Sequence, residues 1–266
     1  MTELAIRDED FSAFQAMFFN AAGIRLAPGK KALVASRLAR RLKHYGLSGY
    51  GEYFQIVSGD ASEQAVAVDL LTTNETYFFR EPKHFDYLAT KILPKIPRSE
   101  SYRIWSAACS SGEEVYTLAM LLAEEMVSPS WEIFGSDLST AMLARACAGI
   151  YPMERGKGIP PELLKRYCWR GTNEEAGKFL IDESLRKRTQ FAQINLNEPL
   201  PDIGLFDVIF LRNVLIYFEA DKKQQIVARL LHKLRPGGHL IIGHSESLNG
   251  MSLSLVAQSP SIYRKL

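Results

Sequence analysis

From Tyr102 onward, short apolar runs alternate with helical segments, and this alternation limits the possible folds to a small set. Buried strands are predicted at Tyr102–Ala108, Trp131–Gly135, Phe206–Leu211 and His239–Gly243. Helices are predicted at Val115–Met126, 140–148 and 220–235, and a terminal hairpin at about 253–258 and 261–265. Strands that alternate with helices indicate an α/β domain over 102–266, with a mostly parallel sheet covered on both faces.

Two regions do not follow this alternation. Residues 1–90 predict an all-α N-terminal domain, with Phe11, Phe14, Phe18 and Phe19 at helical spacing and further helices near 48–58 and 60–71. A proline-containing linker is expected to extend to about residue 101. Residues 151–190 contain several prolines and predict an inserted subdomain, with a helix at 161–167 and short strands near 167–170 and 178–182.

The segment from Pro28 to Gly46 predicts an amphipathic helix with a basic face. At 100° per residue, one arc contains Val34, Ala35, Leu38, Ala39, Leu42 and Tyr45. The opposite arc contains Lys30, Arg37, Arg40, Arg41, Lys43 and His44. Three interpretations are open: a solvated face, electrostatic steering onto an acidic protein helix, or contact with nucleic-acid phosphates. The absence of an aromatic groove or RNA-binding motif in the sequence disfavours the third.

Composition adds limits on compartment and partners. Lys and Arg number 32 and Asp and Glu 30, so the net charge of +2 indicates no partner by itself. The three cysteines, Cys109, Cys147 and Cys168, form no CxxC pair, which argues against a disulfide scaffold and a structural zinc site. We expect a cytoplasmic monomer without a metal. The longest uncharged run, Ser247–Tyr263, is interrupted by polar residues, so no membrane insertion is expected.

Candidate binding residues follow the predicted strands, because ligands of open parallel sheets bind beyond the carboxyl ends of the strands. These ends are Cys109–Glu114, Ser136-Asp137, Asn195-Leu196 and Arg212-Asn213. Asp137 could accept both ribose hydroxyls of an adenosine group, or cap the next helix beside Ser139. The first loop has a single glycine and no Walker lysine, and its two glutamates would repel a pyrophosphate. A cationic nucleoside such as S-adenosylmethionine suits this acidic site better.

Four motifs resemble signature segments of the chemotaxis receptor methyltransferase family. They are Thr73–Glu81 (TNETYFFRE), Trp105–Glu114 (WSAACSSGEE), Arg212–Phe218 (RNVLIYF) and Gly243–Glu246 (GHSE). The resemblance runs in order over nearly the whole chain. It implies a class I, Rossmann-like methyltransferase domain with a small inserted β-subdomain, preceded by an all-α domain. It also implies transfer of methyl groups from S-adenosylmethionine to glutamate side chains of chemoreceptors, with S-adenosylhomocysteine as the second product.

The resemblance also implies roles for individual residues. The implied cofactor pocket contains Asn74, Thr76, Arg80, Glu113, Glu114, Asp137, Asn195, Leu196, Arg212 and Asn213. It leaves open which of the two glutamates faces the cofactor. Arg80 and Tyr217 match the pair that the family places beside the transferred methyl group.

The implied partners are cytoplasmic domains of transmembrane chemoreceptors. They would be contacted through basic helix 30–44 and the 151–190 subdomain, which in some family members docks a short peptide from the receptor C-terminus. No nucleic-acid partner is expected. Two alternatives stay open: a sensor module that binds S-adenosylmethionine without turnover, and a class I methyltransferase for another substrate such as RNA.

Overall fold

The computed structural model describes residues 5–96, 101–126 and 130–266. It divides into a helical unit, Met1–Thr73 with Tyr217–Lys222, and a sheet unit, Asn74–Ile216 with Lys223–Leu266. The predicted boundary near residue 90 is therefore wrong. Residues Phe78, Phe85 and Leu88 lie in the core of the sheet unit, and helical periodicity alone does not reveal which core a helix joins. Of the linker expected over 91–101, residues 97–100 lie outside the described residues.

The helical unit packs four helices around an aromatic core. They are α1 (Asp8–Ala22), α2 (Lys31–Tyr45), α3 (Tyr50–Gly59) and α4 (Ala61–Leu71). Phe14 and Tyr53 are fully buried and their rings stack with centroids 6.0 Å apart. Gly23 ends α1 in the left-handed conformation that favours glycine, with φ 72°. The four helices confirm the helical predictions made for residues 8–71.

The basic arc predicted on α2 is divided between packing and solvent. Arg37 Nη1 donates to the carbonyls of Leu71 and Thr72, each at 2.8 Å, at the end of α4. Arg41 pairs with the buried carboxylate of Glu63 on α4. The assignment of Arg37 and Arg41 to an open face is therefore wrong, because a helical wheel does not show where a neighbouring helix covers the arc. The exposed basic residues of this segment are Lys30, Arg40, Lys43 and His44.

The sheet unit contains a seven-stranded main sheet and a three-stranded second sheet. Its strands are β1 (Tyr102–Ala107), β2 (Trp131–Asp137), β3 (Ile150–Pro152), β4 (Cys168–Arg170), β5 (Lys178–Ile181), β6 (Thr189–Gln193), β7 (Phe206–Leu211), β8 (Leu234–Ile242), β9 (Leu255–Ser259) and β10 (Ile262–Lys265). Its helical segments are α5 (Lys83–Tyr87), α6 (Glu113–Glu125), α7 (Thr140–Ala148), α8 (Pro161–Tyr167), α9 (Glu183–Arg186) and α10 (Ala220–His232), the last beginning in the part of the chain grouped with the helical unit.

The main sheet has the order β6-β2-β1-β7-β8-β10-β9, with β10 antiparallel to both neighbours and the other pairs parallel. The predicted α/β architecture is thus confirmed. Strand β8 begins at Leu234, not at His239, and its register with β7 shifts between Phe206 and Val208. The Pro-Gly-Gly segment therefore forms an irregularity inside a strand rather than the break that its composition predicts.

The inserted subdomain is present as the antiparallel sheet β3-β5-β4 with α8 beside it. Strand β3 begins at Ile150, and β6 belongs to the main sheet, so the insertion ends before Thr189 instead of at residue 190. Phe179 of β5 is buried, whereas Trp169 of the edge strand β4 is 64% exposed. Within the described ranges, no helix has the length and apolarity needed to cross a membrane.

Candidate active site

The turn from β1 into α6 brings several polar groups to the strand ends. Gly112 has φ 91°, and a Cβ at this position would lie 2.8 Å from the Cβ of Ala146 on α7, so glycine is required both for conformation and for space. The turn contacts the segment that precedes α5, since Ser110 Oγ donates to the Asn74 carbonyl at 3.0 Å. Arg155 Nη1 donates to the Thr76 carbonyl at 3.1 Å. Residues 74 and 76 therefore lie near this turn.

Asp137, at the end of β2, joins two of the loops. Its Oδ2 accepts from the Ser110 N–H at 2.8 Å and its Oδ1 from the Ser139 N–H at 2.9 Å. Ser139, not Asp137, caps α7 through its hydroxyl, which accepts from the Met142 N–H at 3.2 Å. The Asp137 side chain is partly exposed. A carboxylate has about four acceptor sites, so this one is suited to hydrogen bonds from ribose hydroxyls.

The two neighbouring glutamates differ in environment. Glu113 is fully buried; it accepts from Ser111 Oγ at 2.7 Å and lies 2.8 Å from Arg155 Nη2. Burial raises the pKa of Glu113 above its ordinary value. Glu114 is partly exposed, accepts from Ser106 Oγ at 2.7 Å and pairs with Arg212. Of the two carboxylates, that of Glu114 is the more accessible to a ligand.

Arg212, at the end of β7, points into a cluster of carboxylates. Its side chain is 2% exposed and pairs with Glu114 at 2.7 Å and with Glu81 at 3.0 Å. The adjacent Asn213 donates through Nδ2 to Glu81 Oε1 at 3.2 Å and through its N–H to Glu246 Oε2 at 2.9 Å. Neither Glu81 nor Glu246 was among the predicted site residues. The only sequence signal for them was their place in the first and last motifs.

Arg80 lies between two residues with unusual backbone geometry. Phe79 and Glu81 both have φ 57°, in the left-handed region that non-glycine residues rarely adopt. The Arg80 guanidinium donates to the Glu75 carbonyl at 2.7 Å and lies 5.6 Å from the ring centroid of Tyr77. The Arg80 carbonyl accepts from Arg212 Nη2. Side chain and backbone of this arginine are therefore both engaged.

The remaining predicted residues lie on other segments. Asn195 makes a turn after β6 with Oδ1 accepting from the Asn197 N–H at 3.0 Å, next to Ile194, whose N–H donates to the Asp137 carbonyl at 3.1 Å. Leu196 is buried. Tyr217 is half-buried in the segment that groups with the helical unit, so its pairing with Arg80 stays a prediction.

Three side chains with metal-ligand atoms lie beside this cluster. Glu81, His84 and His244 offer ligand atoms within 4.8 Å of one another. However, the Glu81 carboxylate already accepts from Arg212, Asn213 and the His244 N–H, and the Arg212 charge would repel a cation. Burial, together with the Arg212 charge, lowers the pKa of His84 to about 3, so this imidazole is neutral at pH 7. The charges present favour the internal hydrogen bonds over a metal.

Comparison with known proteins accounts for both units. The family description "CheR methyltransferase, all-alpha domain" matches residues 9–72, and "CheR methyltransferase, SAM binding domain" matches residues 74–260. The two matches meet where the structure divides the chain.

Individual relatives match over nearly their whole lengths. Chemotaxis protein methyltransferase 2 of Pseudomonas aeruginosa is 43% identical over 242 residues, covering 90% of this chain and 86% of the relative. The chemotaxis protein methyltransferase of Escherichia coli is 38% identical and covers 99% and 93% of the two chains. That of Borreliella burgdorferi is 37% identical and covers 98% and 95%. This chain belongs to the CheR methyltransferase family, with an all-α domain followed by an S-adenosylmethionine-binding domain.

Proposed function

We propose that this chain transfers a methyl group from S-adenosylmethionine to glutamate side-chain carboxylates of chemoreceptors, giving glutamate methyl esters and S-adenosylhomocysteine. The observation that carries the proposal is the match of both family domains over residues 9–260. The names of the relatives place those proteins in chemotaxis, which supports a chemoreceptor substrate here. The acidic strand-end site supports a cationic cofactor.

The residues at the strand ends fit that cofactor. When bound, S-adenosylmethionine supplies an electrophilic methyl group on a positively charged sulfur. Asp137 would accept the ribose hydroxyls, and Glu114 would contribute the negative field that favours a cation. The other residues assigned to the pocket are Asn74, Thr76, Arg80, Glu113, Asn195, Leu196, Arg212 and Asn213. Of these, Glu113 and Arg212 have buried side chains engaged with other protein groups, which suits supporting roles.

The chemistry requires alignment more than proton transfer. A glutamate side chain with an ordinary pKa of about 4.3 is ionised at pH 7, so its attack on a methyl group needs no general base. Fixed geometry between two reactants contributes up to roughly 7–11 kcal/mol. Arg80 can orient a carboxylate through two parallel hydrogen bonds. Because a tight clamp on the nucleophile would weaken it, we assign Arg80 to the cofactor carboxylate or to a role shared with the substrate. Tyr217 would fix the methyl group or a substrate oxygen through its hydroxyl.

Two surfaces are assigned to receptor docking. The exposed basic residues Lys30, Arg40, Lys43 and His44 on and before α2 would steer the enzyme onto an acidic receptor helix. In the inserted subdomain, β4 is an edge strand and carries the exposed Trp169. An edge strand with an exposed aromatic side chain can accept an extended peptide by strand addition, which would suit a receptor C-terminal segment.

The test is transfer of tritiated methyl groups into membranes that contain candidate chemoreceptors, followed by peptide mapping. We expect label on receptor glutamates that is released by mild alkali, as a methyl ester requires. Cofactor binding without any turnover would instead favour the sensor alternative. Alkali-stable label on RNA or on a small molecule would contradict the proposed substrate.

A further inference from the structure

The carboxylate of Glu81 contacts two separate segments of the sheet unit, one after β7 and one after β8. Its Oε1 accepts from Asn213 Nδ2 at 3.2 Å, and its Oε2 lies 3.0 Å from Arg212 Nη2. Oε2 also accepts from the backbone N–H of His244 at 3.2 Å. Since Arg212 and Asn213 follow β7 and His244 follows β8, this side chain joins the segment that carries Arg80 to the ends of two central strands.

The backbone around Arg80 depends on these contacts. The left-handed conformations of Phe79 and Glu81 persist only where surrounding groups determine them. The Phe79 N–H donates to Thr117 Oγ1 on α6 at 3.1 Å, which holds one side. The Arg80 carbonyl accepts from Arg212, and Arg212 is in turn held by Glu81. The direction of the Arg80 side chain is therefore coupled to the Glu81 carboxylate.

The partners of Glu81 also require a carboxylate rather than an amide. The groups on its two oxygens are all hydrogen-bond donors: a guanidinium, a side-chain amide and a backbone N–H. A glutamine has one acceptor atom and one donor group, so its nitrogen would face either Arg212 and the His244 N–H or the Asn213 amide nitrogen as it is oriented here, and in both cases Arg212 would lose the negative charge of its partner. Burial alone would raise the pKa of Glu81, but the Asn213 amide and the Arg212 guanidinium outweigh it and hold this pKa below its ordinary value.

We propose that Glu81 is a positioning residue for methyl transfer, which holds Arg80 and the Arg212-Asn213 loop in place without touching cofactor or substrate. This assignment rests on the proposed function, because it takes Arg80 as a residue beside the reacting groups. Glu81 acts on Arg80 through the salt bridge to Arg212, whose guanidinium binds the Arg80 carbonyl, and its hydrogen bond to Asn213 keeps Arg212 in that position. The neutral His84, 3.5 Å from Glu81 Oε2, does not compete with Arg212 for this carboxylate.

The main test is the variant Glu81→Gln, measured for S-adenosylhomocysteine affinity by calorimetry and for turnover on receptor membranes. We expect kcat to fall by about 30-fold or more while the Kd for S-adenosylhomocysteine changes by less than about fivefold. In the double variant with Arg80→Ala, turnover should fall no more than about threefold below that of Arg80→Ala alone, because both changes remove the same alignment. Losses that multiply, or a Glu81→Gln rate within about threefold of wild type, would overturn the proposal.

Two further variants serve as a control and as a substitute for Glu81→Gln. Asp86→Asn removes an exposed carboxylate on α5 and should leave turnover unchanged. Glu81→Asp keeps the charge on a side chain one methylene shorter; it serves if Glu81→Gln does not fold, and a wild-type rate for it would overturn the assignment. Wild-type protein that leaves receptor glutamates unlabelled would refute the proposed function and this assignment with it. A labelling wild type with an equally fast Glu81→Gln variant would refute the assignment alone.

Discussion

Each unit contains a glutamate whose carboxylate accepts several hydrogen bonds. In the helical unit, Glu63 accepts from side chains only, namely those of Arg41, Tyr45 and Tyr53. In the sheet unit, Glu81 accepts from the side chains of Arg212 and Asn213 and from a backbone N–H. The partners of Glu63 are side chains of α2 and α3, which pack against its own helix. The partners of Glu81 lie at the carboxyl ends of β7 and β8.

This difference in location separates a packing role from a functional one. In both units a carboxylate is paired with an arginine and further donors, so composition does not distinguish the two networks. Around Glu63 every partner belongs to the packed helices, and the network joins them. Around Glu81 the partners belong to loops where ligands of parallel sheets bind. The comparison predicts that removing Glu63 reduces stability, whereas replacing Glu81 by its amide reduces turnover.

The largest expected effect is on the helical unit. Glu63→Ala leaves Arg41 and two tyrosine hydroxyls without their shared acceptor, and loss of one member of a buried ion pair costs about 3–5 kcal/mol of unfolding free energy. Urea denaturation followed by circular dichroism measures it. Glu52→Ala, which removes an exposed carboxylate of α3, should cost about 1 kcal/mol or less. Equal losses for the two variants would remove the packing role from Glu63.

The second prediction concerns acid sensitivity of the sheet unit. The pKa of His84 is lowered to about 3, so between pH 6.5 and 4 the unfolded chain binds a proton that the folded chain does not, and stability falls as pH falls. One proton taken up only by the unfolded chain lowers the free energy of unfolding by about 1.4 kcal/mol for each pH unit. The loss of stability over this window should therefore be about 3 kcal/mol smaller in His84→Gln than in the wild type. His239, whose burial lowers its pKa to about 4, should sustain part of the remaining slope.

Denaturation curves at a series of pH values test this prediction. His232→Gln, which replaces an exposed histidine on α10, is the matched control and should keep the wild-type slope. A His84→Gln slope as steep as that of wild type would show that His84 takes up its proton in the folded state too.

The third prediction tests the ligand role of Asp137. Asp137→Ala should weaken the binding of S-adenosylhomocysteine by about 1–3 kcal/mol, because the buried ribose hydroxyls lose a charged acceptor. Isothermal calorimetry measures this affinity. Asp202→Ala removes an exposed carboxylate and should leave the affinity unchanged. Unaltered binding in Asp137→Ala would mean that Asp137 only ties its two loops together through Ser110 and Ser139.

The fourth prediction concerns Tyr217. Tyr217→Phe should lower kcat about tenfold with an unchanged Kd for S-adenosylhomocysteine, because a hydrogen bond made mainly in the transition state appears in the rate constant. Steady-state methylation of receptor membranes gives kcat. Tyr263→Phe, on β10, is the control for loss of a tyrosine hydroxyl elsewhere. A wild-type rate would reduce Tyr217 to a packing residue.

The smallest expected effect is on encounter with the receptor. Arg40→Glu with Lys43→Glu should slow methylation several-fold at subsaturating receptor and flatten its salt dependence, since steering is screened over about 10 Å at 0.1 M salt. These residues are exposed, whereas Arg37 and Arg41 are tied to α4 and would confound the test. Lys91→Glu with Lys95→Glu makes the same charge change on the sheet unit. Equal salt slopes for both double variants would refute steering by α2.

Periodicity and turn residues predicted most elements because those signals are local. Phe14 and Phe18 are four residues apart, which places them on one face of a helix with 3.6 residues per turn. Ser139 marks the start of α7, because its hydroxyl caps that helix. The strands at 206–211 and 131–137 could be recognised from apolar runs of strand length. Strands of mixed composition are harder to predict from sequence. Only the loop after β6 was predicted, and the strand predicted at His239–Gly243 omits the first part of β8, which contains two glycines.

Local sequence signals were thus sufficient for the set of elements, the α/β architecture and, through the motifs, the family. Which side chains contact each other depends on how the elements pack. Residues 78–93 pack in the core of the sheet unit, and Arg37 and Arg41 contact α4. Glu113 is more buried than Glu114, and Glu81 forms a salt bridge with Arg212. Glu81 and Arg212 are 131 residues apart along the chain. Local rules act over one or two helical turns, so contacts at that separation arise only when the strands assemble and bring their carboxyl ends to one edge.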